Sequence, residues 1–424
     1  MPWPDRKVMN DVASLTARIS AIEAASQSED YFGFAYNTYS DVFTRLGKAQ
    51  GIPNGVFCGR WVSPVIARLR MVTLQDNGSV TKEINWLDKT KYSDGTSVPL
   101  GGTDGQLMVE YLPTYMKIGT WGNWFYVMLS HLPLPGFTLH PVFTGMQAVY
   151  QATFEASVYN SGSGNKLYSI AKSPVDGVSD VYPVTERTGA WGLTGTTAAQ
   201  MDALAAARGS GWQIQDFLTV QYQRLLMLAI FASYDIPAIV GAGRINLSGG
   251  SWTNGSYIGK CGLGLAAYDY YGAVQVGTTG GYATDYSFVL GVENPWGNVW
   301  ERVTALISDH DFYYKPQPPY DYSTIAGWTR LQTALGANIT LPSGDGYGGI
   351  PFSGLGIVLP STVTGSSSTK MRDFYSQGSG LRVLLVGSSS DYGAYAGPFF
   401  WSASNAASYT YTSVGGRLCF KKAA

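Results

Sequence analysis

The chain has 424 residues, 45% of them hydrophobic, which is enough to bury a sizeable core. Charged residues make up only 13%, the formal net charge is −1, and no basic run exceeds Lys421-Lys422, a balance that argues against a nucleic-acid partner. The 52 Gly, 29 Tyr and 12 Trp point to a compact, turn-rich β or α+β protein with weakly charged surfaces.

In chain order, "MPWPDRKVMNDV" lacks the apolar core of a secretory signal, so synthesis in a cytoplasm without export by the common route is expected. Val8, Val12, Leu15, Ile19 and Ile22 follow with heptad spacing, and Asn10, Asp11, Ser14, Thr16 and Arg18 lie between them. A short coiled coil over 1–28 is expected, with isoleucines favouring a trimer; a surface helix packed on its own domain would look similar. Residues 29–105 read as a small β-rich region. It has a helical stretch at "YSDVFTRLGKAQG" and a hairpin, "VIARLRMVTL" to "VTKEINWL", turning at Asp76-Asn77-Gly78. From 106 onward "LMVEYLPTYMKIGTWGNWFYVMLS" alternates as strands do. Two helices follow, "TAAQMDALAAARG" and "DFLTVQYQRLLMLAIFASY", the second capped by Asp216 with Leu218, Tyr222, Leu225, Leu226 and Ile230 as its apolar stripe. The most apolar stretch, ending "YDIPAIVGAG", is broken by Asp235 and Pro237 and is too short to span a bilayer.

Catalytic chemistry is sparse. His131, His140 and His310 show no metal-binding spacing and read as structural. Cys58, Cys261 and Cys419 are far apart and read as buried thiols. Phosphate-binding and nucleophile-elbow motifs are missing. Glu110, Glu155, Glu293 and Glu301 sit in strand-like, aromatic settings, where ion pairing in the core is favoured over acid–base work. These features do not point to an enzyme.

"GVENPWGNVWERV" (291–303) gathers Trp296 and Trp300 around a Gly-Asn turn and should anchor a core, with Glu301 in need of a partner. It resembles a signature of the C-type lectin-like fold in its formylglycine-generating-enzyme branch. The active-site cysteine pair of those enzymes is reduced here to Cys419, which argues against their oxidase chemistry.

The stretch "LRVLLVGSSSDYGAYAGPFFWSASNAASYTYTSVGGRLCF" (381–420) is similar to the variable region of diversity-generating retroelement target proteins, a family that includes the major tropism determinants of phage. "DGQLMVEYLPTYMKI", "GFTLHPVF", "EASVYN" and "GSGWQIQDFLTVQYQRLLML" resemble phage tail or fibre proteins, so the likeness extends over about residues 30–424. The resemblance implies an α+β, C-type lectin-like fold over 106–424, with Trp296, Trp300, Gly387, Gly393, Gly397, Trp401, Gly415 and Arg417 as scaffold. In that family adenine-directed mutagenesis of Asn codons leaves Tyr, Ser, Asp, Thr or His. The variable, ligand-binding positions implied are Ser389, Asp391, Tyr392, Tyr395, Ser402, Ser404, Asn405, Tyr409, Tyr411 and Ser413, with Ser390 and Thr410 as further candidates. Strand alternation would set Tyr409, Tyr411 and Ser413 on one face.

Tyr-, Ser- and Asn-rich surfaces are also the composition of antibody paratopes. The function expected is host adsorption from a tail-fibre tip of the virion, through a cell-surface protein or glycan, by a homotrimer that neither binds nucleic acid nor inserts in a membrane. No cofactor is expected: C-type lectins often bind calcium, but no dense acidic cluster marks a calcium site here. The alternative is a fixed-specificity carbohydrate-binding or structural virion protein on the same scaffold.

Overall fold

A computed structural model describes residues 30–37, 40, 42–160, 165–173, 180–183, 196–247, 257–267, 270–274, 285–309, 311–333 and 373–424. The N-terminal helix expected over 1–28, and His310, lie outside these residues.

The α+β, C-type lectin-like expectation is overturned: the described residues form a β-rich sandwich. A five-stranded antiparallel sheet runs in the order Val42–Gly47, Tyr31–Asn37, Trp124–Ser130, Tyr115–Trp121, Thr138–Leu139. A six-stranded sheet has the order Trp212–Ile214, Leu418–Ala423, Met146–Ala152, Gln106–Tyr111, Arg70–Leu74, Val80–Ile84. Both sheets combine strands from before and after residue 105. A third sheet takes Thr329–Thr333, Asp311–Tyr314, Trp300–Asp309, Arg382–Val386, Trp401–Asn405 and Tyr375–Gln377, with Val414–Gly416 parallel to Trp300–Arg302.

The segment expected as a helix at Tyr39–Gly51 is the strand Val42–Gly47, paired along its length with Tyr31–Asn37. Val42, Phe43, Thr44 and Leu46 suit a pleated, half-buried surface, and Phe43 and Leu46 are buried. The Asp76-Asn77-Gly78 hairpin forms as the sequence indicates. Gly78 is left-handed at φ +78°, and an added Cβ would stand 2.4 Å from the Phe420 ring, so only glycine fits.

Three α-helices are present among the described residues: α1 (Ala198–Ala206), α2 (Phe217–Phe231) and α3 (Ile236–Val240). Thr197 closes a full capping box with Gln200 on α1, and Asp216 caps α2 by accepting from the Thr219 amide at 2.9 Å. Instead of showing a single stripe, α2 is buried on every side and packs against Tyr31–Asn37, Trp124–Ser130 and Trp300–Asp309. Its C-terminal carbonyls are gripped by the buried Arg45 guanidinium, which donates to Ile230 and Phe231 and also to Pro53 and Val56.

Two buried polar assemblies tie the sheets together. Arg417 stands where the chain passes from Val414–Gly416 of the third sheet to Leu418–Ala423 of the six-stranded one. Its Nε and Nη2 form a two-point ion pair with Glu301, the partner that carboxylate requires. Its remaining donors reach the carbonyls of Ala152, Thr153, Glu293 and Asn294. A chain of hydrogen bonds leads away from Glu301 through Gln215 and Gln151 to the Tyr111 hydroxyl. In the second assembly, burial alone would raise the Asp216 carboxyl, but the Lys421 ammonium and the Thr219 donors outweigh it and hold it below the usual range.

Candidate binding surface

Arg382–Val386 and Trp401–Asn405 are antiparallel neighbours, with Val386 opposite Trp401 and Val383 opposite Asn405. Their connection, residues 387–400, and the loop 406–413 that leads to Val414 meet at Trp300, whose ring packs on Tyr392 and whose amide donates to Ser413, and together they make the candidate surface. Gly387 opens the first segment at φ +80°, facing the Pro295 carbonyl. Gly397 closes it: a Cβ there would lie 2.3 Å from the Asp373 carboxylate, which accepts the Phe399 amide.

Main-chain hydrogen bonds hold both segments. In the first, the Leu247 amide donates to the Ser390 carbonyl at 2.9 Å, the Ser390 amide to Asn298 at 3.1 Å, the Gly393 amide to Ile245 at 2.7 Å, and the Phe374 amide to Tyr395 at 3.1 Å. In the second, the Ala198 amide at the start of α1 donates to the Ala407 carbonyl at 3.0 Å and the Trp300 amide to the Ser413 carbonyl at 2.7 Å. Arg302 donates to the Tyr409 carbonyl.

Beneath the first segment lies an aromatic floor. Tyr392 meets Trp300 at 5.4 Å and Phe400 at 5.3 Å, and Phe374 stacks on Phe400 at 5.8 Å. Burial, then the nearby Asp391 and Tyr409, push the Tyr392 hydroxyl up to about 12, so it stays neutral across the physiological range. In the second segment Tyr409 and Tyr411 lie nearly parallel, 15° apart with centroids 6.2 Å apart.

The ten expected contact positions divide in two. Asp391, Tyr395 (36%), Ser404 and Tyr411 (42%) are exposed, and Tyr392, Asn405 and Tyr409 are half-buried. Ser389 (1%), Ser402 (4%) and Ser413 (1%) are buried and cannot touch a ligand at the surface. Ser389 donates to the Asp391 carboxylate at 2.8 Å, and Ser402 accepts from Ser376 at 3.1 Å. Ser413 leads directly into the ladder beside Trp300. Ser390 is also buried, whereas Thr410 is half-buried. The one-faced strand expected for Tyr409, Tyr411 and Ser413 is not there. Pairing stops at Asn405, and the Ala407 and Tyr409 carbonyls are drawn off by α1 and Arg302, so 406–413 is a loop.

The scaffold residues converge below this face. Trp296 is fully buried and donates to the Ala242 carbonyl at 3.0 Å. Trp401 is fully buried with the Arg224 guanidinium 4.0 Å above its ring. Trp300 is half-buried within the aromatic floor, Gly415 pairs with Glu301, and Gly393 begins a 3₁₀ turn at φ +57°. Sequence reasoning missed Arg302, and it passed over the exposed Ala394, Ala406 and Ser408. Strand alternation held the clue to Arg302. If Glu301 faces the core, Arg302 must face the other way, toward the loop.

Of the other ionisable candidates, His131 is half-buried, and His140, Cys58, Cys261, Cys419, Glu110, Glu155, Glu293 and Glu301 are buried in the fold. Burial pushes Cys58 to about 11 and Cys419 to about 12, so both remain thiols. His140 is driven by burial to about 3, and its Nδ1 accepts from the Val142 amide at 3.2 Å. Glu110 pairs with Arg70. Glu155, pushed up by burial and by the Glu301 charge, accepts from Asn294 and Asn298. Among the described residues no group of three or more His, Cys, Asp or Glu could hold a metal, and no helix is long and apolar enough to cross a membrane. No family model matches the chain, and no curated protein matches it either.

Proposed function

We propose that the chain is a receptor-binding protein, a relative of the diversity-generating retroelement targets, and that it acts at a phage tail-fibre tip in host adsorption. Its contact surface is built from Asp391, Tyr392, Tyr395, Ser404, Asn405, Tyr409 and Tyr411. The observation that carries this reading is that residues 387–400 and 406–413 are anchored largely through their own backbone. Side chains at the exposed positions are then free to differ while the loops keep their course. Tyrosine supplies contact area at low entropic cost and Ser and Asn supply adaptable hydrogen bonds. Assembly as a homotrimer would join three weak sites into one avid one.

The test is to exchange Asp391, Tyr395, Ser404 and Tyr411 together in the full chain. Thermal stability and oligomeric state should be unchanged, while adsorption to the host is lost or redirected. Loss of the fold would reject the reading.

A second reading, fixed-specificity carbohydrate binding, draws on the near-parallel Tyr409 and Tyr411 rings, since an aromatic face suits a sugar ring. Gene context separates the two. A near-copy of the codons for 381–420, differing mainly at adenines and lying beside a reverse transcriptase, belongs to the first alone.

A further inference from the structure

Beneath the loop 406–413, one buried side chain joins elements that are distant in sequence. Arg302 is only 3% exposed and projects from Trp300–Asp309 on the face opposite Glu301. Its Nη2 donates to the Tyr409 carbonyl and to the Thr196 carbonyl at 3.1 Å, just before the Thr197 cap of α1. The Ala198 amide, one residue past that cap, donates to the Ala407 carbonyl. The Trp300 amide holds the end of the loop at the Ser413 carbonyl, and two carbonyls within it are held one by the guanidinium and one by the helix start that the same guanidinium fixes.

The other face of the guanidinium borders a small cavity lined by Met201, Asp202, Thr304, Tyr322 and Val383. Nε and Nη1 find no protein partner among the described residues. Asp202 lies close enough to act on the guanidinium charge and accepts from the Tyr322 hydroxyl at 2.6 Å. Buried guanidinium donors are rarely left unmatched, and the cavity is of a size that takes a single water.

We propose that Arg302 is the positioning residue of the candidate contact loop, a clamp that sets the course of 406–413 by bridging the Tyr409 and Thr196 carbonyls while a cavity water joins its free donors to Asp202. The clamp acts only on main-chain atoms, so it works whatever side chains the loop carries.

Its importance for binding rests on 406–413 touching the ligand, so loop order is read directly, with no ligand present. Amide hydrogen exchange is compared in the full-length wild type, Arg302→Met and Arg302→Lys. Losing a charged hydrogen bond should speed exchange at Tyr409 and Val414 about ten-fold or more in Arg302→Met. Exchange in Arg70–Leu74 and Gln106–Tyr111 should hold, because the loss is local. Arg302→Lys, whose ammonium carries three donors on one nitrogen and so can serve both carbonyls, should restore most of the protection. If Arg302→Met does not fold, Arg302→Gln takes its place in the same comparison. Unchanged exchange in 406–413, or an equal rise across all strands, would overturn the proposal. Failed adsorption with an intact clamp would count against the binding reading alone.

Discussion

Replacing Arg417 with Met removes the one cation that, among the described residues, pairs with Glu301 at the crossing between two sheets. Breaking a buried ion pair by deleting one partner costs about 3–5 kcal/mol. The carbonyls of Ala152, Thr153, Glu293 and Asn294 also lose their donor, and each one left unmatched adds about 1–3 kcal/mol. Even with partial relaxation the total should reach about 5 kcal/mol, comparable with the whole stability of many domains, roughly 5–15 kcal/mol. Urea unfolding followed by tryptophan fluorescence would read this as a large fall in midpoint. The double variant Arg417→Met with Glu301→Gln should recover about 2–3 kcal/mol, because it removes the stranded charge but not the stranded carbonyls. A single variant costing less than about 1 kcal/mol, or a double variant no better than the single, would refute the account of Arg417 as the joint between sheets.

Burial divides the candidate contact positions energetically as well. Ser402→Tyr and Ser413→Tyr should each cost about 1–3 kcal/mol or more through overpacking, while Tyr395→Ser, Ser404→Tyr and Tyr411→Ser should stay within about 0.5 kcal/mol in thermal melts. A natural or selected repertoire of this region should likewise hold Ser389, Ser402 and Ser413 to small residues, which sequencing would show. Gly397→Ala should destabilise more than Gly393→Ala, since the first drives a Cβ into the Asp373 carboxylate while the second bears only the strain of φ +57° and meets nothing closer than Asn246 at 3.9 Å; midpoints in urea would rank them. Burial raises Glu293 to about 7, opposed by the Gly264 and Gly262 amides and by Arg417. The folded state then binds that proton more tightly than the unfolded one, so this group's contribution is fully present below about pH 4.5 and is lost as pH rises toward 7. Glu293→Gln should flatten the fall in unfolding free energy across that window by roughly 3 kcal/mol; an unchanged slope would exclude Glu293 as its source.

Short-range signals in the sequence were dependable where one local rule decides the outcome. Asp216 is a cap because its side chain answers an amide three residues away, and Asp76-Asn77-Gly78 turns because glycine accepts the left-handed position. The pattern misled where tertiary partners decide. Val42–Gly47 has a helical look on its own, yet Tyr31–Asn37 offers it a complete ladder. The α2 stripe gave no warning that Gln221, Gln223 and Arg224 would also be buried. In the contact region, composition pointed to Ser and Tyr alike. Only three-dimensional placement separates exposed Ser404 from buried Ser402, two residues earlier on the same side of the strand, although both bond to the Ser376 hydroxyl. Arg302 stayed hidden because its value comes from carbonyls more than a hundred residues away, which no local motif marks.

The strand Leu418–Ala423 is an interior member of its sheet, between Trp212–Ile214 and Met146–Ala152, yet it is encoded downstream of both loops. A ribosome must therefore read through 387–413 in frame before that sheet can close. A frameshift or stop within the loops would leave the edges of Trp212–Ile214 and Met146–Ala152 open and a large apolar surface unburied, a product prone to aggregation and degradation. The order of translation thus acts as a proofreading step for this stretch. Whatever side chains the loops carry, only chains that were read through them intact can fold.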